Sequence, residues 1–204
     1  MNHRAMPLPI RLAALFPLLL ISACTPPSAQ PAEIQGVNLA GAAIGVPFTL
    51  TDKSGQRVSS DQFKGQYRIV YFGYTFCPDA CPTDVGVIMQ GYLKFAQAHP
   101  ARAAQVQPIF ITIDPARDTP ARLGQFTEAF SPKLLGLTGS QAEIDRVASG
   151  FKVAKARGTE TPGGYLMEHT RQAFLMGRDG QPVEVLPTDL GPAAVAADLA
   201  VSVK

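Results

Sequence analysis

From Pro47 to the C-terminus, short apolar runs that are typical of strands alternate with segments that carry apolar side chains at helical spacing. The runs YRIVYFGY, at residues 67–74, and VQPIFITID, at residues 106–114, are mainly apolar and rich in β-branched and aromatic residues, which predicts two buried strands. Between them, residues 81–99 carry apolar side chains at helical spacing, which predicts a helix. A strand, a helix and a second strand in this order predict a βαβ core.

The rest of the pattern predicts further strands and helices around that core. Ser140 and Glu143 stand at capping-box spacing before a helix that ends at Gly150, and Pro120 after an Asp–Thr pair marks another helix start. The further predicted elements are a hairpin over residues 47–60 with its turn at Lys53–Gly55, a helix over 118–130, a strand over 134–139, a helix over 140–150, a strand over 151–156, a hairpin over 169–186 with its turn at Asp179–Gly180, and a helix over 191–203. The predicted fold class is α/β, with a central mixed β-sheet flanked by helices.

Residues 1–23 have the layout of a secretory signal peptide. Arg4 and Arg11 precede an apolar run at residues 12–21, and two small residues follow it. The run is shorter than the roughly 20 apolar residues that a membrane-spanning helix needs. Its end, LISAC, resembles the lipobox of bacterial lipoproteins, in which cleavage before the cysteine leaves a lipidated N-terminus, here Cys24. The alternative is an ordinary signal peptide followed by a cysteine without this role.

The lipobox interpretation divides the chain into three parts and predicts where the protein is located. Residues 1–23 are the signal peptide, residues 24–45 are a flexible tether with a single charge, Glu33, and residues 46–204 are the folded domain. We expect an exported protein on the periplasmic side of a bacterial membrane, anchored there through the lipid on Cys24.

Charge and cysteine count narrow the function classes. Removal of Arg4 and Arg11 with the signal peptide lowers the 18 basic residues to 16, which equals the 16 acidic residues. A domain without excess positive charge gives no indication of nucleic-acid binding. The chain has three cysteines, and lipidation of Cys24 leaves Cys77 and Cys81 as a pair, which can be oxidised outside the cytoplasm.

Cys77 and Cys81 stand in the stretch YFGYTFCPDACPTD, between the first buried strand and the following helix. A Cys-x-x-x-Cys at such a junction resembles the thioredoxin superfamily, although thioredoxin-type redox motifs have two intervening residues. A helix N-terminus stabilises thiolates, and residues four apart on one helical face are within disulfide range. The pair is therefore open to three interpretations: a redox-active dithiol, a metal chelate, and a disulfide that only closes a loop.

A metal site needs more than two thiolates, and an imidazole is the natural third ligand. The chain has three histidines. His3 lies in the predicted signal peptide, and His99 follows a helix, where a structural role at the C-terminus is expected. His169 stands at the start of a predicted strand, after the glycine-rich loop RGTETPGG. It is the remaining candidate, although a lone histidine is more often structural.

Three separated motifs resemble the Sco/SenC family of copper proteins. They are FGYTFCPDACPTD, ITIDPARDTPARL, and GGYLMEHT followed by FLMGRDG, and the resemblance covers most of residues 46–200. It implies a thioredoxin-like fold that binds one copper ion, Cu(I) or Cu(II), through Cys77, Cys81 and His169. Where the family commonly has Asp-His-Ser around the histidine, this chain has Glu-His-Thr.

The chemistry of these side chains agrees with copper. Soft thiolates favour Cu(I), and two sulfur atoms with one nitrogen suit a trigonal Cu(I) site. A structural zinc site has four protein ligands, and the domain has no third cysteine. Met167 shares a strand face with His169, where core packing is a simpler role for its thioether than a weak metal contact.

The resemblance also implies a function, that of a copper metallochaperone that assists assembly of the dinuclear copper site of cytochrome c oxidase. The partners are then the copper-site subunit of the oxidase and other periplasmic copper chaperones. The same pair fits a thiol–disulfide reductase acting on an oxidase subunit, with Cys77 and Cys81 redox-active and His169 not required. A peroxiredoxin-like peroxidase is disfavoured, because no separate peroxide-activating Thr, Cys and Arg set stands in the sequence.

Asp114 and Asp118, in the stretch DPARDTP, are further candidates beside the site. Asp118 also fits a helix cap, and Asp114 also fits the end of a strand. Strand ends border the functional sites of α/β folds, so both carboxylates have either a structural or a functional interpretation. The sequence leaves these roles open.

Overall fold

The structure is a computed structural model that describes Met1, residues 33–162 and residues 164–204. Residues 2–23 of the predicted signal peptide and residues 24–32 of the predicted tether, including Cys24 with its predicted lipid, lie outside the described residues. None of the helices in the described ranges combines the length and the apolar character that a membrane crossing requires.

The described residues form ten strands and five α-helices. The strands are β1 (Val37–Asn38), β2 (Thr49–Thr51), β3 (Arg57–Ser59), β4 (Tyr67–Gly73), β5 (Val106–Thr112), β6 (Leu135–Leu137), β7 (Lys155–Thr161), β8 (Gly164–His169), β9 (Ala173–Met176) and β10 (Pro182–Val185). The helices are α1 (Ala80–Ala98), α2 (Pro100–Ala103), α3 (Pro120–Glu128), α4 (Gln141–Gly150) and α5 (Pro192–Ser202), with short 3-10 helices at Ser60–Phe63 and Thr188–Leu190.

Six strands form a mixed sheet in the order β1-β10-β9-β4-β5-β6. The strands β4, β5 and β6 are parallel, whereas β9 pairs with β4 and β10 in antiparallel orientation. The carboxyl ends of β4 and β5 therefore point to the same edge of the sheet, where β4 leads into the cysteine loop. The predicted α/β fold with a central mixed sheet flanked by helices is confirmed.

Alternating residues of β4 point into two hydrophobic cores, one on each face of the sheet. Val70 and Phe72 belong to the core that also contains the apolar residues of α4 and of the β2–β3 hairpin. Ile69 and Tyr71 belong to the core that contains the apolar residues of α1, α3 and α5. Because both faces are covered, β4 is a nearly continuous apolar run, which is what made it recognisable in the sequence.

Local sequence signals are reproduced at the helix starts. The hydroxyl of Ser140 accepts the backbone N–H of Glu143, and the Glu143 side chain accepts the backbone N–H of Ser140, so the predicted capping box is present. Thr119, rather than Asp118, is the N-cap of α3, and its hydroxyl accepts the backbone N–H of Arg122.

The structure differs from the predicted tether over residues 35–45. β1 pairs with β10, and the backbone N–H groups of Gln35 and Gly36 donate to the carboxylate of Asp198 on α5. The N–H of Leu39 donates to the carbonyl of Val183. Prolines, glycines and the near absence of charge predict flexibility for the tether, but several backbone groups of this segment are paired with the domain.

The structure also differs at the glycine-rich stretch before His169. We predicted a strand over residues 151–156, then a loop, then a strand that starts at His169. Instead, β7 and β8 form an antiparallel hairpin through this stretch, and His169 is the last residue of β8. The hairpin is a separate two-stranded sheet that does not share a ladder with the central sheet. β7 is largely exposed, and the proline and glycines at 162–164 are typical of a loop, which is why the sequence predicted a loop here.

Candidate metal centre

The cysteine pair lies where β4 leads into α1. Cys77 is in the connecting loop, and Cys81 is the second residue of α1, as predicted. The backbone N–H of Cys81 donates to the sulfur of Cys77 over 3.2 Å. Cys77 is half-buried and Cys81 has no exposed surface, and both are free thiols. The junction of β4 and α1 therefore offers one partly accessible sulfur, from the loop, and one buried sulfur, from the helix.

The two thiols differ in acidity. Burial raises the pKa of Cys77, but the backbone N–H groups of Cys81 and Asp79 favour its thiolate more strongly, so its net pKa is lowered. Burial raises the pKa of Cys81 well above that of an ordinary thiol. We expected the helix N-terminus to stabilise thiolates, and the structure directs its N–H groups at Cys77.

His169 reaches the cysteine pair from a distant part of the chain. Its Nε2 atom lies 3.4 Å from the sulfur of Cys81, 88 positions away in sequence. Its Nδ1 atom lies 2.8 Å from the carbonyl oxygen of Thr170. The ring packs edge-on against Tyr71 and Tyr74, with centroid distances of 6.3 and 6.1 Å. The imidazole is thus held between the loop and the sheet with one nitrogen directed at sulfur.

The surroundings keep this imidazole in its neutral form. Burial lowers the pKa of His169, an effect that the carbonyl of Thr170 partly offsets. Only a neutral imidazole has a lone pair for a metal. Met167 is partly buried and packs against the hydrophobic core, which agrees with the structural role expected for it.

Cys81 contacts both other candidate ligands, through its backbone N–H to the Cys77 sulfur and through its own sulfur to His169. Within the described ranges, no three His, Cys, Asp or Glu side chains are already gathered around one point as a complete metal-binding group. The structure provides the contact between Cys77 and Cys81 and the contact between Cys81 and His169. Two sulfurs and a neutral imidazole nitrogen form a soft donor set, which fits Cu(I) better than the oxygen-preferring ions.

The carboxylate of Asp118 is hydrogen-bonded to the start of the loop that carries Cys77. It is fully buried and accepts hydrogen bonds from the backbone N–H and the hydroxyl of Thr75, two residues before Cys77, and from the hydroxyl of Thr112. Burial raises its pKa, and the hydroxyl groups lower it only in part. The helix-cap interpretation of Asp118 is wrong, because Thr119 caps α3.

Asp114 connects the same edge of the sheet to the β7–β8 hairpin. Its carboxylate accepts the Nε–H of Arg117 over 2.5 Å and the hydroxyl of Tyr165 on β8 over 2.8 Å. The side chain of Asp114 is 4 % exposed. Asp114 is therefore part of the wall that joins the cysteine loop to the hairpin that carries His169.

An ion pair that the sequence did not predict lies beside the candidate metal centre. Asp84 on α1 and Arg171, after β8, form two hydrogen bonds, and the hydroxyl of Tyr71 donates to the same carboxylate. The only signal in the sequence is proximity, since Asp84 follows Cys81 by three residues and Arg171 follows His169 by two.

Comparison with known proteins identifies the family of this chain. The family described as SCO1/SenC matches residues 37–204. The chain belongs to the SCO1/SenC family. The match begins at β1, which agrees with the finding that this strand is part of the domain.

SCO1/SenC relatives occur in bacteria and in mitochondria. An SCO2-like protein of Rickettsia conorii is 34% identical over 185 residues, which cover 90% of this chain and 87% of the relative. The human mitochondrial protein SCO1 homolog is 34% identical over 158 residues, which cover 77% of this chain and 52% of the relative.

Solved structures of SCO1/SenC proteins share the fold. ScoI of Bradyrhizobium japonicum with copper bound has a TM-score of 0.70 and 39% identity, and the match covers 78% of this chain and 98% of that one. Yeast Sco1 with copper bound has a TM-score of 0.69 and 31% identity, with 78% and 87% covered. The predicted family and its thioredoxin-like fold are confirmed.

Proposed function

We propose that the protein is a copper metallochaperone that holds one copper ion as cargo through Cys77, Cys81 and His169. The observation that carries this proposal is the 3.4 Å contact between the Nε2 atom of His169 and the sulfur of Cys81. This contact brings an imidazole to a dithiol across 88 positions of sequence. A redox pair needs the two sulfurs alone, so a neutral imidazole aimed at one of them favours a metal-binding role.

The proposal has support from relatives of known structure. Copper is bound in the structures of ScoI from Bradyrhizobium japonicum and of yeast Sco1. By family membership, we propose that this chain delivers copper to the dinuclear copper site of cytochrome c oxidase. Its partners would be the copper-site subunit of the oxidase and other periplasmic copper chaperones.

The exposure of the site suits transfer of a cargo. Cys77 and His169 are both half-buried, whereas Cys81 has no exposed surface. An incoming ligand of a partner reaches the Cys77 side first. The buried Cys81 then acts as the retaining sulfur, and Cys77 as the sulfur at which exchange begins.

The test is the variant His169→Ala in the reduced protein. Loss of one of three ligands should weaken Cu(I) binding about 100-fold, or about 3 kcal/mol, in proportion to the roughly 10–16 kcal/mol that four ligands supply at structural zinc sites. Competition with a Cu(I) chelator measures this. The matched control is His99→Ala, because His99 lies at the far end of α1 and packs on Phe95.

A thiol–disulfide reductase is the second candidate, and the unequal acidity of the cysteines favours it. A half-exposed thiol with a lowered pKa beside a buried thiol is the arrangement in which the first attacks and the second resolves. The rate at which the His169→Ala protein reduces a model disulfide separates the two candidates. If His169→Ala loses copper affinity but still reduces the model disulfide, the result supports the chaperone. If its copper affinity is unchanged, the result supports the reductase.

We further propose that the protein is exported and anchored through a lipid on Cys24. The support is the sequence LISAC after a short apolar run, in a part of the chain outside the described residues. Mass spectrometry of the membrane fraction should find a lipidated N-terminus at Cys24. An unmodified N-terminus elsewhere would contradict the anchor and leave the copper site unaffected.

A further inference from the structure

A carboxylate beside the centre joins three elements. Asp84 on α1 accepts the hydroxyl of Tyr71 on β4 over 2.8 Å. It also accepts the Nε–H and the Nη2–H of Arg171 over 2.8 and 2.7 Å, one on each carboxylate oxygen. The Asp84 side chain is 11 % exposed and the Arg171 side chain 53 % exposed. A bidentate pair with one partner largely out of water is stronger and better oriented than an ordinary surface ion pair.

This ion pair connects the segments that carry two of the proposed ligands. Asp84 follows Cys81 by three residues, within one turn of α1. Arg171 follows His169 by two residues, in the link between β8 and β9. The hairpin that ends at His169 shares no ladder with the central sheet, and three residues link His169 to Ala173, the first residue of β9 in that sheet. The contact between Asp84 and Arg171 connects this short link to α1.

The orientation of the imidazole depends on the same link. A carbonyl oxygen only accepts, so the 2.8 Å contact with Thr170 requires the proton on Nδ1 and leaves the lone pair of Nε2 facing Cys81. Thr170 is held on one side by its backbone N–H, which donates to Ala154. On the other side it is held by its neighbour Arg171. The peptide that selects the tautomer is thus fixed at both ends.

We infer that Asp84 and Arg171 are positioning residues of the metal centre. Their ion pair holds the carbonyl of Thr170 against Nδ1 of His169 and keeps Nε2 directed at Cys81. Neither side chain is proposed to touch the metal. The inference rests on the proposed function only for its consequence in copper affinity, because the tautomer of His169 is a property of the metal-free protein.

The first test needs no metal. In the reduced, metal-free protein, the nitrogen chemical shifts of His169 should show the proton on Nδ1. In Arg171→Gln and in Asp84→Asn, a substantial fraction should move to the Nε2–H form. Arg171→Lys keeps the charge but cannot form the bidentate pair, so it should give an intermediate population. Circular dichroism checks that each variant is folded.

The second test measures copper. Loss of an outer residue that orients a ligand typically costs about 10- to 100-fold in metal affinity, so Arg171→Gln and Asp84→Asn should each weaken Cu(I) binding by at least about tenfold. If the two residues act as a pair, the double variant should lose little more than either single variant. The matched control is Arg57→Gln, which removes an arginine–carboxylate pair between β3 and α4.

The two tests separate the possible failures. An unchanged tautomer and unchanged affinity in folded Arg171→Gln, with affinity lost in His169→Ala, would overturn the positioning role and leave the copper site standing. A shifted tautomer in a protein whose copper affinity does not depend on His169 would support the positioning role and contradict the proposed ligand set. If the loss of Cu(I) affinity in the double variant equals the sum of the two single losses, Asp84 and Arg171 do not act as a pair.

Discussion

At the scale of single residues, the two cysteines have opposite properties because of where each sulfur lies. The Cys77 sulfur stands at the loop surface in front of backbone N–H groups of α1, and its pKa is lowered. The Cys81 sulfur is enclosed by the core, and burial raises its pKa. The sequence predicted a cysteine pair at the N-terminus of a helix. It did not predict the asymmetry, because burial is set by packing between distant elements.

We predict that alkylation by iodoacetamide at neutral pH modifies Cys77 at least about tenfold faster than Cys81, since one unit of pKa changes the thiolate fraction about tenfold. The rate at Cys77 should reach half of its maximum at a pH below the ordinary thiol value of about 8.5. Peptide fragmentation in the mass spectrometer assigns the modified residue. In Cys81→Ser the fast reaction should persist, because the N–H donor at that position is in the backbone. Faster labelling at Cys81 would contradict the assignment.

The prediction of His169 shows what sequence alone provides about the site. The residue types indicated a dithiol and an imidazole, but only the family resemblance joined His169 to a cysteine pair 88 positions away. The pair of Asp84 and Arg171 was not predicted, since an aspartate in a helix and an arginine before a strand are common surface residues. Ion pairs between remote segments leave no periodic pattern in the sequence.

At the scale of elements, a stack of alternating arginines and aromatic rings fastens the β7–β8 hairpin to the cysteine loop. The guanidinium carbon of Arg117 lies 3.6 Å from the ring centroid of Tyr165 and 4.7 Å from that of Phe76. Arg157 stacks on Tyr165 at 3.9 Å, and Arg122 stacks on Phe76 at 3.7 Å. Phe76 precedes Cys77, so the stack reaches from the hairpin to the cysteine loop.

We predict that Arg117→Ala loosens the hairpin. Each cation–π contact is worth about 0.5–2 kcal/mol, so backbone amides of β7 and β8 should exchange with deuterium about 2- to 30-fold faster. The central strands β4 and β5 should keep their protection, because the hairpin is a separate sheet. Hydrogen exchange followed by mass spectrometry measures both regions in one experiment.

A matched control for the hairpin is Arg178→Ala. This arginine also lies over a tyrosine ring, that of Tyr67, at the opposite end of β4. Its removal should leave exchange in β7 and β8 unchanged. Equal protection of the hairpin in Arg117→Ala and in the wild type would show that the strand pairing, rather than the stack, holds it in place.

The hairpin also explains which elements the sequence predicted well. The strands β4 and β5 are buried on both faces and seven residues long, so their apolar runs identified them. The start of α4 was predicted because a capping box is a local signal. β1 has two residues, β7 is largely exposed, and β8 is only partly buried. Their stability comes from partners elsewhere in the chain, which local patterns do not record.

At the scale of the whole molecule, two buried carboxylates lie where the N-terminal segment joins the domain. Asp198 on α5 has no exposed surface and accepts the N–H groups of Gln35 and Gly36. Glu184 on β10 is also fully buried, and within the described residues neither of its oxygens has a hydrogen-bond partner. Burial, with the neighbouring Asp198, raises the pKa of Glu184 to about 7, and the nearby side chain of Ser202 offsets part of this effect.

The raised pKa of Glu184 predicts how the free energy of unfolding changes with pH. A carboxyl group whose pKa is raised on folding binds more protons in the native state than in the unfolded state between the two pKa values. The free energy of unfolding therefore decreases as pH rises from about 4.5, the unfolded value, to about 7, and then levels off. The full contribution of Glu184 is up to about 3 kcal/mol, at about 1.4 kcal/mol per unit.

We predict that Glu184→Gln removes this penalty. The variant should match the wild-type protein near pH 4.5 and exceed its stability increasingly up to about pH 7.5, by up to about 3 kcal/mol. Chemical denaturation of the reduced, metal-free protein at a series of pH values gives both curves. The exposed Glu160, replaced by Gln, is the matched control and should give a much smaller pH-dependent difference. A constant difference between wild type and Glu184→Gln at every pH would mean that Glu184 does not titrate in this range. The N-terminal segment would then be joined to the domain beside a charge that the core tolerates.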